Sequence, residues 1–542
     1  MKLDLAALAA LHGKGKRLLW PTGAGVAVFL LVFAVTPFHG LPVLLLSAAA
    51  GGVLAAVVAA APRILANRRG ARIDDDLPFF ITHFGVLATS NLPRQELLHL
   101  LSANKEYPET AAEMGRILRL TTEWGLGLAD AVRAVALSTP SRTFSAFLLR
   151  LAHSLESGQS LEGFLMSEQR VVMDDYRSLY EADLLRIESW KELYTNSLMT
   201  VGFLSIFATI LPLFAGGSAL VFTTAVAGLT VLLELLLGVV LLERLPHDEL
   251  SPTRPIRTRF ERQLQRILLA SAGAAALLGV VAFLLWGLGP ALLVAAIPMV
   301  VPGVYADREE AAIRRREADY PAFIRSLGAA AAARGGAIRG VLGNLQANNL
   351  GELTTPVRAL HRRLMWQVDD RRSWHSFGEQ TESRLIDSFS DMFVQGLAAG
   401  GKPGPISAII SQNMLEVLSL RTARRATAGT FKGLLLGLGI GMAFVLLMGS
   451  GILAKLTDTF SQTGGGALQE GLFTLVPAHD IGLAQEVLLA LVAIHGVAAG
   501  LFFELVQGGR IEGAALHAAV NVATGVGTGL LVLWGLPHVG IL

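Results

Sequence analysis

Nine nearly uncharged apolar runs recur along these 542 residues, each close to the length of a bilayer-crossing helix. About 20 apolar residues are needed to cross hydrocarbon as a helix, the one open-ended structure that satisfies its own backbone there. The runs fall near 19–36, 41–62, 197–216, 219–242, 267–286, 290–306, 433–454, 484–505 and 514–538, the sixth being the shortest. Lys14, Lys16 and Arg17 precede the first run as in a secretory leader. A second run follows almost at once, however, and no small-residue cleavage site stands out, so the first reads as a retained span.

Composition agrees with a chain solvated by lipid, since 52% of residues are hydrophobic and 16% charged. A net charge of +2 gives no reason to expect a nucleic-acid partner. The absence of cysteine excludes disulfides, thiolate nucleophiles and zinc–thiolate sites, and no cofactor or metal is expected.

If the N-terminus is cytoplasmic, the external segments are 37–40, 217–218, 287–289, 455–483 and the C-terminal end, and Lys455 is their sole Lys or Arg. That asymmetry fixes the orientation by the positive-inside rule, with the C-terminus external. The chain then divides into a segment and hairpin at 1–62, a cytoplasmic domain at 63–196, a hairpin at 197–243 and a basic loop at 244–266. A hairpin at 267–306, a second cytoplasmic domain at 307–432 and membrane helices over 433–542 complete it.

The two cytoplasmic stretches repeat one another. A shift of 243 positions lays Arg72, Asp76 and Pro78 on Arg315, Asp319 and Pro321, and Phe80, Ile81 and Gly85 on Phe323, Ile324 and Gly328. Gly158 falls on Gly401, and the hairpins repeat in step. Asp followed by Pro before an apolar periodicity predicts a helix start in each copy. LLRLAHSLESG and DMFVQGLAAGG read as helices stopped by glycine, and no strand alternation appears. The expected fold is all-α and polytopic, with about nine spans and two homologous cytoplasmic helical bundles.

Little here carries catalytic chemistry. Gly396 to Lys402 spells GxxxxGK, but Pro403 stands where a magnesium-binding hydroxyl is needed and no apolar strand precedes it, so the cluster reads as a helix end. Internal HDEL at 247–250 is no retention signal. Glu309, Glu310 and Arg314 spell EExxxR, and His517 with Asn521 spells HxxxN, as in one family of intramembrane glutamyl proteases. The intervening FxxxH is missing, and Phe79 with His83 matches it only out of order, which leaves a protease as a remote alternative. Ionisable residues within spans cost about 2.5–3.5 kcal/mol at mid-membrane and normally face protein or water. Glu234, His495, Glu504 and His517 are the candidates, with Glu504 expected to reach the interface beside Arg510.

The DLP/DYP repeat, GxGLADA at 125–131, Pro140 and FLLRLAHSLESGQSLEGFL resemble the F domain of type II secretion and type IV pilus platform proteins. The duplicated arrangement, the length and the glycine- and histidine-rich stretch from His495 to His517 resemble the archaeal members, the archaellum platforms of the FlaJ type. That resemblance implies a non-enzymatic, dimeric platform in the cell membrane. Its implied partners are a hexameric secretion ATPase, pilin- or archaellin-like subunits and membrane lipids. Its bundles would act as levers, with hairpins at Pro37 and Pro290 and a kink at Pro212 transmitting the motion. Docking candidates are Arg254, Arg257, Arg259, Arg262 and Arg266 in the basic loop, which could equally meet anionic lipid. The rival class is a transporter with parallel repeats, although a solute pathway does not require two large helical cytoplasmic masses.

Overall fold

The computed structural model describes residues 69–90, 92–215, 218–245, 259–335, 338–345, 350–462 and 476–536. The first two apolar runs and Pro37 lie outside these. Every regular element among the described residues is helical. The first polar unit comprises α1 (Arg69–Ala88), α2 (Arg94–Ser102), α3 (Pro108–Thr122), α4 (Leu128–Ala136), α5 (Arg142–Glu156) and the start of α6 (Leu161–Ala215). A membrane layer follows with α7 (Ala219–Arg244), α8 (Arg259–Trp286) and the first part of α9 (Leu288–Ala333). The rest of α9, α10 (Ile338–Leu345), α11 (Thr354–Met365), α12 (Asp370–Thr381), α13 (Arg384–Ala398) and the start of α14 (Pro403–Gln462) form the second unit. Helices α15 (Ala478–Gln507) and α16 (Ala514–Gly535) return to the membrane layer.

Among the described residues, seven helices are long and apolar enough to cross a bilayer, matching the third to ninth runs. On α8, Leu277, Val280, Leu284 and Trp286 are exposed, as they must be on a helix solvated by lipid. The most enclosed span is α15. Its Gly496 and Gly500, spaced GxxxG, lie where an added Cβ would strike the backbone of Val522 and Ala518 on α16.

Two expectations about boundaries need correction. Pro78 and Pro321 do not start helices: Pro78 lies inside α1, and Pro321 lies inside α9, which arrives already wound from the membrane layer. A helix held by packing on both sides tolerates the missing donor. The segment 455–483 is also shorter as a connection than expected, because α14 continues to Gln462 with Lys455 on it.

The repeat extends to the helix pattern. Shifted by 243, α1, α2 and α3 fall on the second part of α9, on α10 and on α11 with its preceding 3-10 turn. From α5 onward the offset is 242. There α5 (Arg142–Glu156) corresponds to α13 (Arg384–Ala398) at both ends, and Ser141 and Ser383 cap them identically, accepting from the amides of Phe144 and Ile386. The left-handed glycines follow the same register: Gly158 (φ 71°) corresponds to Gly400 (φ 83°), not to Gly401.

The units share one continuous core, running from Ile73, Phe80 and Phe147 of the first to Phe323, Phe377 and Phe393 of the second. Helix α1 makes the join. Phe79 stacks on Phe389 at 5.6 Å, Asn413 donates to the Thr82 hydroxyl at 2.8 Å, and Ser388 donates to Glu106 at 2.7 Å. His83 lies fully buried here, its Nδ1 2.5 Å from the Tyr107 hydroxyl and 3.1 Å from the Asn104 amide.

Burial holds His83 down at about 3 and lifts Asp76 to about 7. Between pH ~4 and ~6.5 the two oppose each other. The neutral His83 loses stability as pH falls, because the unfolded chain takes up a proton that the fold refuses; Asp76, protonated in the fold, loses it as pH rises. His83→Gln is therefore expected to leave a chain whose melting temperature in detergent climbs more steeply on acidification across that window than the parent's; identical profiles would contradict this. Gly500→Ala is expected to cost about 1–3 kcal/mol, since backbone cannot give way. Gly437→Ala, with open space around it, should change the same melt little.

Candidate functional site

The structure sorts the four intramembrane candidates into two pairs. Glu234 on α7 and His495 on α15 meet with Oε1 2.6 Å from Nδ1, both side chains almost fully buried. Leucines flank Glu234 along α7, so its carboxylate is the polar group there that needs an answer from a neighbouring helix. His495 supplies it. The Tyr194 ring of α6 stacks near-parallel on the imidazole, and Trp190 one turn earlier donates its indole N–H to the Leu237 carbonyl at 2.9 Å. Phe431 and Phe502 pack edge-on against both of these aromatics. The second carboxylate oxygen of Glu234, Nε2 of His495 and the Tyr194 hydroxyl are buried without a hydrogen-bond partner among the described residues. The arrangement can hold one proton between acid and imidazole, and it ties α6, α7, α14 and α15 at one level.

Glu504 and His517 form the second pair, with Oε2 3.9 Å from Nε2. Glu504 is 3% exposed, wedged against Gly509 and Gly513. The Phe503 ring lies edge-on to His517 at 4.2 Å. Next to it Glu310 accepts the Arg510 amide at 2.5 Å and pairs with Arg314 at 3.2 Å. The Arg510 guanidinium pairs with Glu261 at 3.0 Å over the face of Phe260. Arg424 donates to the carbonyls of Leu505 and Val506, closing the C-terminus of α15.

These contacts give structural work to the protease-like motifs. Glu309 pairs with Arg316, Glu310 is held as described, and the Asn521 amide donates to the His517 carbonyl within its own helix. GxxxxGK runs from the last turn of α13 into the turn before α14, with Pro403 opening the second helix. Of the basic loop, Arg254 and Arg257 lie outside the described residues, as does the side chain of Arg259. Arg262 and Arg266 are exposed on the first turns of α8.

Sequence reasoning missed Trp190, Tyr194 and Arg424, and it met Glu310 only as part of the protease-like motif. The first two carry a signal, an aromatic pair four apart just before an apolar run.

A family model described as Type II secretion system (T2SS), protein F matches residues 80–209, covering most of the first unit and most of α6. Flagella accessory protein J of Methanococcus voltae is 32% identical over 510 residues, spanning 92% of this chain and 91% of that protein. This chain belongs to the flagella accessory protein J family. The Methanocaldococcus jannaschii member is likewise 32% identical, over 470 residues and 84% and 83% of the two chains. No solved structure matches. As a member of the flagella accessory protein J family, the chain is a multi-pass membrane platform of the type IV pilus and archaellum class.

Within this family member the Glu234–His495 pair predicts a clear mutational pattern. Glu234→Ala or His495→Ala strands a buried polar partner and should each cost about 3–5 kcal/mol in detergent unfolding. The double change Glu234→Leu with His495→Leu should recover most of that loss. If the double variant is as unstable as the singles added together, the two residues are not a coupled pair.

Proposed function

We propose that this chain is the platform on which a separate hexameric secretion ATPase drives assembly of pilin- or archaellin-like subunits, working as a dimer and without catalysis of its own. The supporting observation is the continuity of α6 and α14, 55 and 60 residues long, which run from the packed polar units into the apolar layer without a break. At 1.5 Å per residue these rods are about 80 and 90 Å long, enough to carry displacement from the polar units across a bilayer. They are braced against each other by Arg177–Glu416 at 3.1 Å and Lys191–Thr430 at 3.0 Å.

In this reading the polar units are cytoplasmic, the N-terminus is inside, the C-terminus is outside, and both units derive from one duplicated segment. The shared core favours a single block in place of two separate levers, because parting the units would expose Phe79, Phe389 and the apolar groups around them. The ATPase would meet the units and the basic loop carrying Arg254, Arg257, Arg259, Arg262 and Arg266.

The test is ATP hydrolysis and direct binding by secretion ATPases from the same genome, with and without the purified chain in nanodiscs. Saturable binding is expected, weakened roughly tenfold by Arg262→Glu with Arg266→Glu and by raised salt. A folded chain that binds none of these ATPases would overturn the reading.

A further inference from the structure

The way the two units join inside one chain shows how two chains would join. Helix α1 of the first unit lies on a seat formed by α13 and the start of α14. Phe79 covers Phe389, Val86 approaches Gly396, and Thr89 approaches Gly401. Arg384 pairs across the join with Glu106 at 3.9 Å and stands in the field of Asp76.

Both halves of this join occur a second time, open. At the 242 offset, the seat residues Gln395, Gly396, Gly401 and Ile406 correspond to His153, Ser154, Gln159 and Phe164 on α5 and the start of α6. Those four, with Leu149 and Arg150, line an open cavity of about 440 Å³ on the first unit. At the 243 offset, Phe79, Thr82 and Val86 of α1 and Thr89 just after it correspond to Ala322, Arg325, Ala329 and Ala332 on α9, and all four of these are exposed.

The exchange of bulk between the halves is complementary. Where the open seat carries larger side chains than its counterpart, Ser154, Gln159 and Phe164 for Gly396, Gly401 and Ile406, the open helix face carries smaller ones, Ala322, Ala329 and Ala332 for Phe79, Val86 and Thr89. Charge agrees. Arg142 corresponds to Arg384 and Asp319 to Asp76; Arg142 is exposed, Asp319 is partly so, and neither forms an ion pair among the described residues.

We infer that two copies of this chain dock head to tail, α9 over 319–333 of each copy entering the α5–α6 seat of the other, with Asp319 opposite Arg142. This rests on the dimeric reading proposed above and names its faces. A contact between unlike faces closes when the rotation returns to its start. With both copies standing in one bilayer, a two-fold axis along the membrane normal makes the contact twice and completes a ring of four alternating units.

The chain has no cysteine, so introduced pairs report directly. In native membranes, Ala332→Cys with Gln159→Cys is expected to oxidise to a covalent dimer, each single variant to stay monomeric on a denaturing gel, and Thr89→Cys with Gly401→Cys to lock within one chain. Adding Arg142→Asp should cut the dimer yield roughly fivefold or more, and adding Asp319→Arg as well should restore it. If the internal pair locks but the intermolecular pair does not, or if Arg142→Asp leaves its yield unchanged, the inference is wrong. The native mass of the parent chain separates the two readings: a dimer lacking the crosslink discards this face alone, whereas a monomer discards the dimer as well.

Discussion

A helix that leaves a water-soluble bundle and enters hydrocarbon keeps every backbone hydrogen bond internal, so the crossing can be made without a hinge. Helices α6 and α14 make it in that way, and the other features of the molecule are arranged around them. Their polar ends complete the two units, their apolar ends join the membrane bundle, and Trp190, Tyr194 and Phe431 pack where one regime gives way to the other. A loop at that level would leave open donors and acceptors at the edge of the lipid and would decouple the two layers.

The polar side chains inside the bundle answer to the same constraint. Glu234 with His495, and Glu504 with His517, are each supplied from different helices, so each pair fixes the packing of helices that greasy contacts alone would let slide. Glycine does the complementary task on α15, letting α16 approach to backbone contact beside the first pair. Specificity in this bundle thus comes from a few polar anchors and a few missing side chains, with leucine and valine filling the rest.

Much of this was legible in the sequence because lipid imposes length and charge rules that survive without an alignment. The described spans stand where the apolar runs put them, and Arg72, Asp76 and Gly85 announced their partners in the second unit. Tertiary packing overrode local signals elsewhere. Pro78 and Pro321 look like helix starts only when the turns before them are ignored, and those turns are held by contacts distant in sequence. The pairing of Glu234 with His495 spans 261 positions and depends on which faces of α7 and α15 meet, which no spacing rule states. The change of offset from 243 to 242 hid the matching caps Ser141 and Ser383, although both serines are plain in the sequence once the register is known.

That single-residue change of offset has a mechanical reading. One residue more or less within an α-helix turns everything beyond it by about 100° and would swing a packed face toward solvent. Here the odd residue is absorbed before α5 and α13, so both helices keep their caps and inward faces. The connections of this repeat are its tolerant joints and the helices its gauge blocks, and length variation that leaves the platform intact should collect between helices, ahead of the serines that restart them.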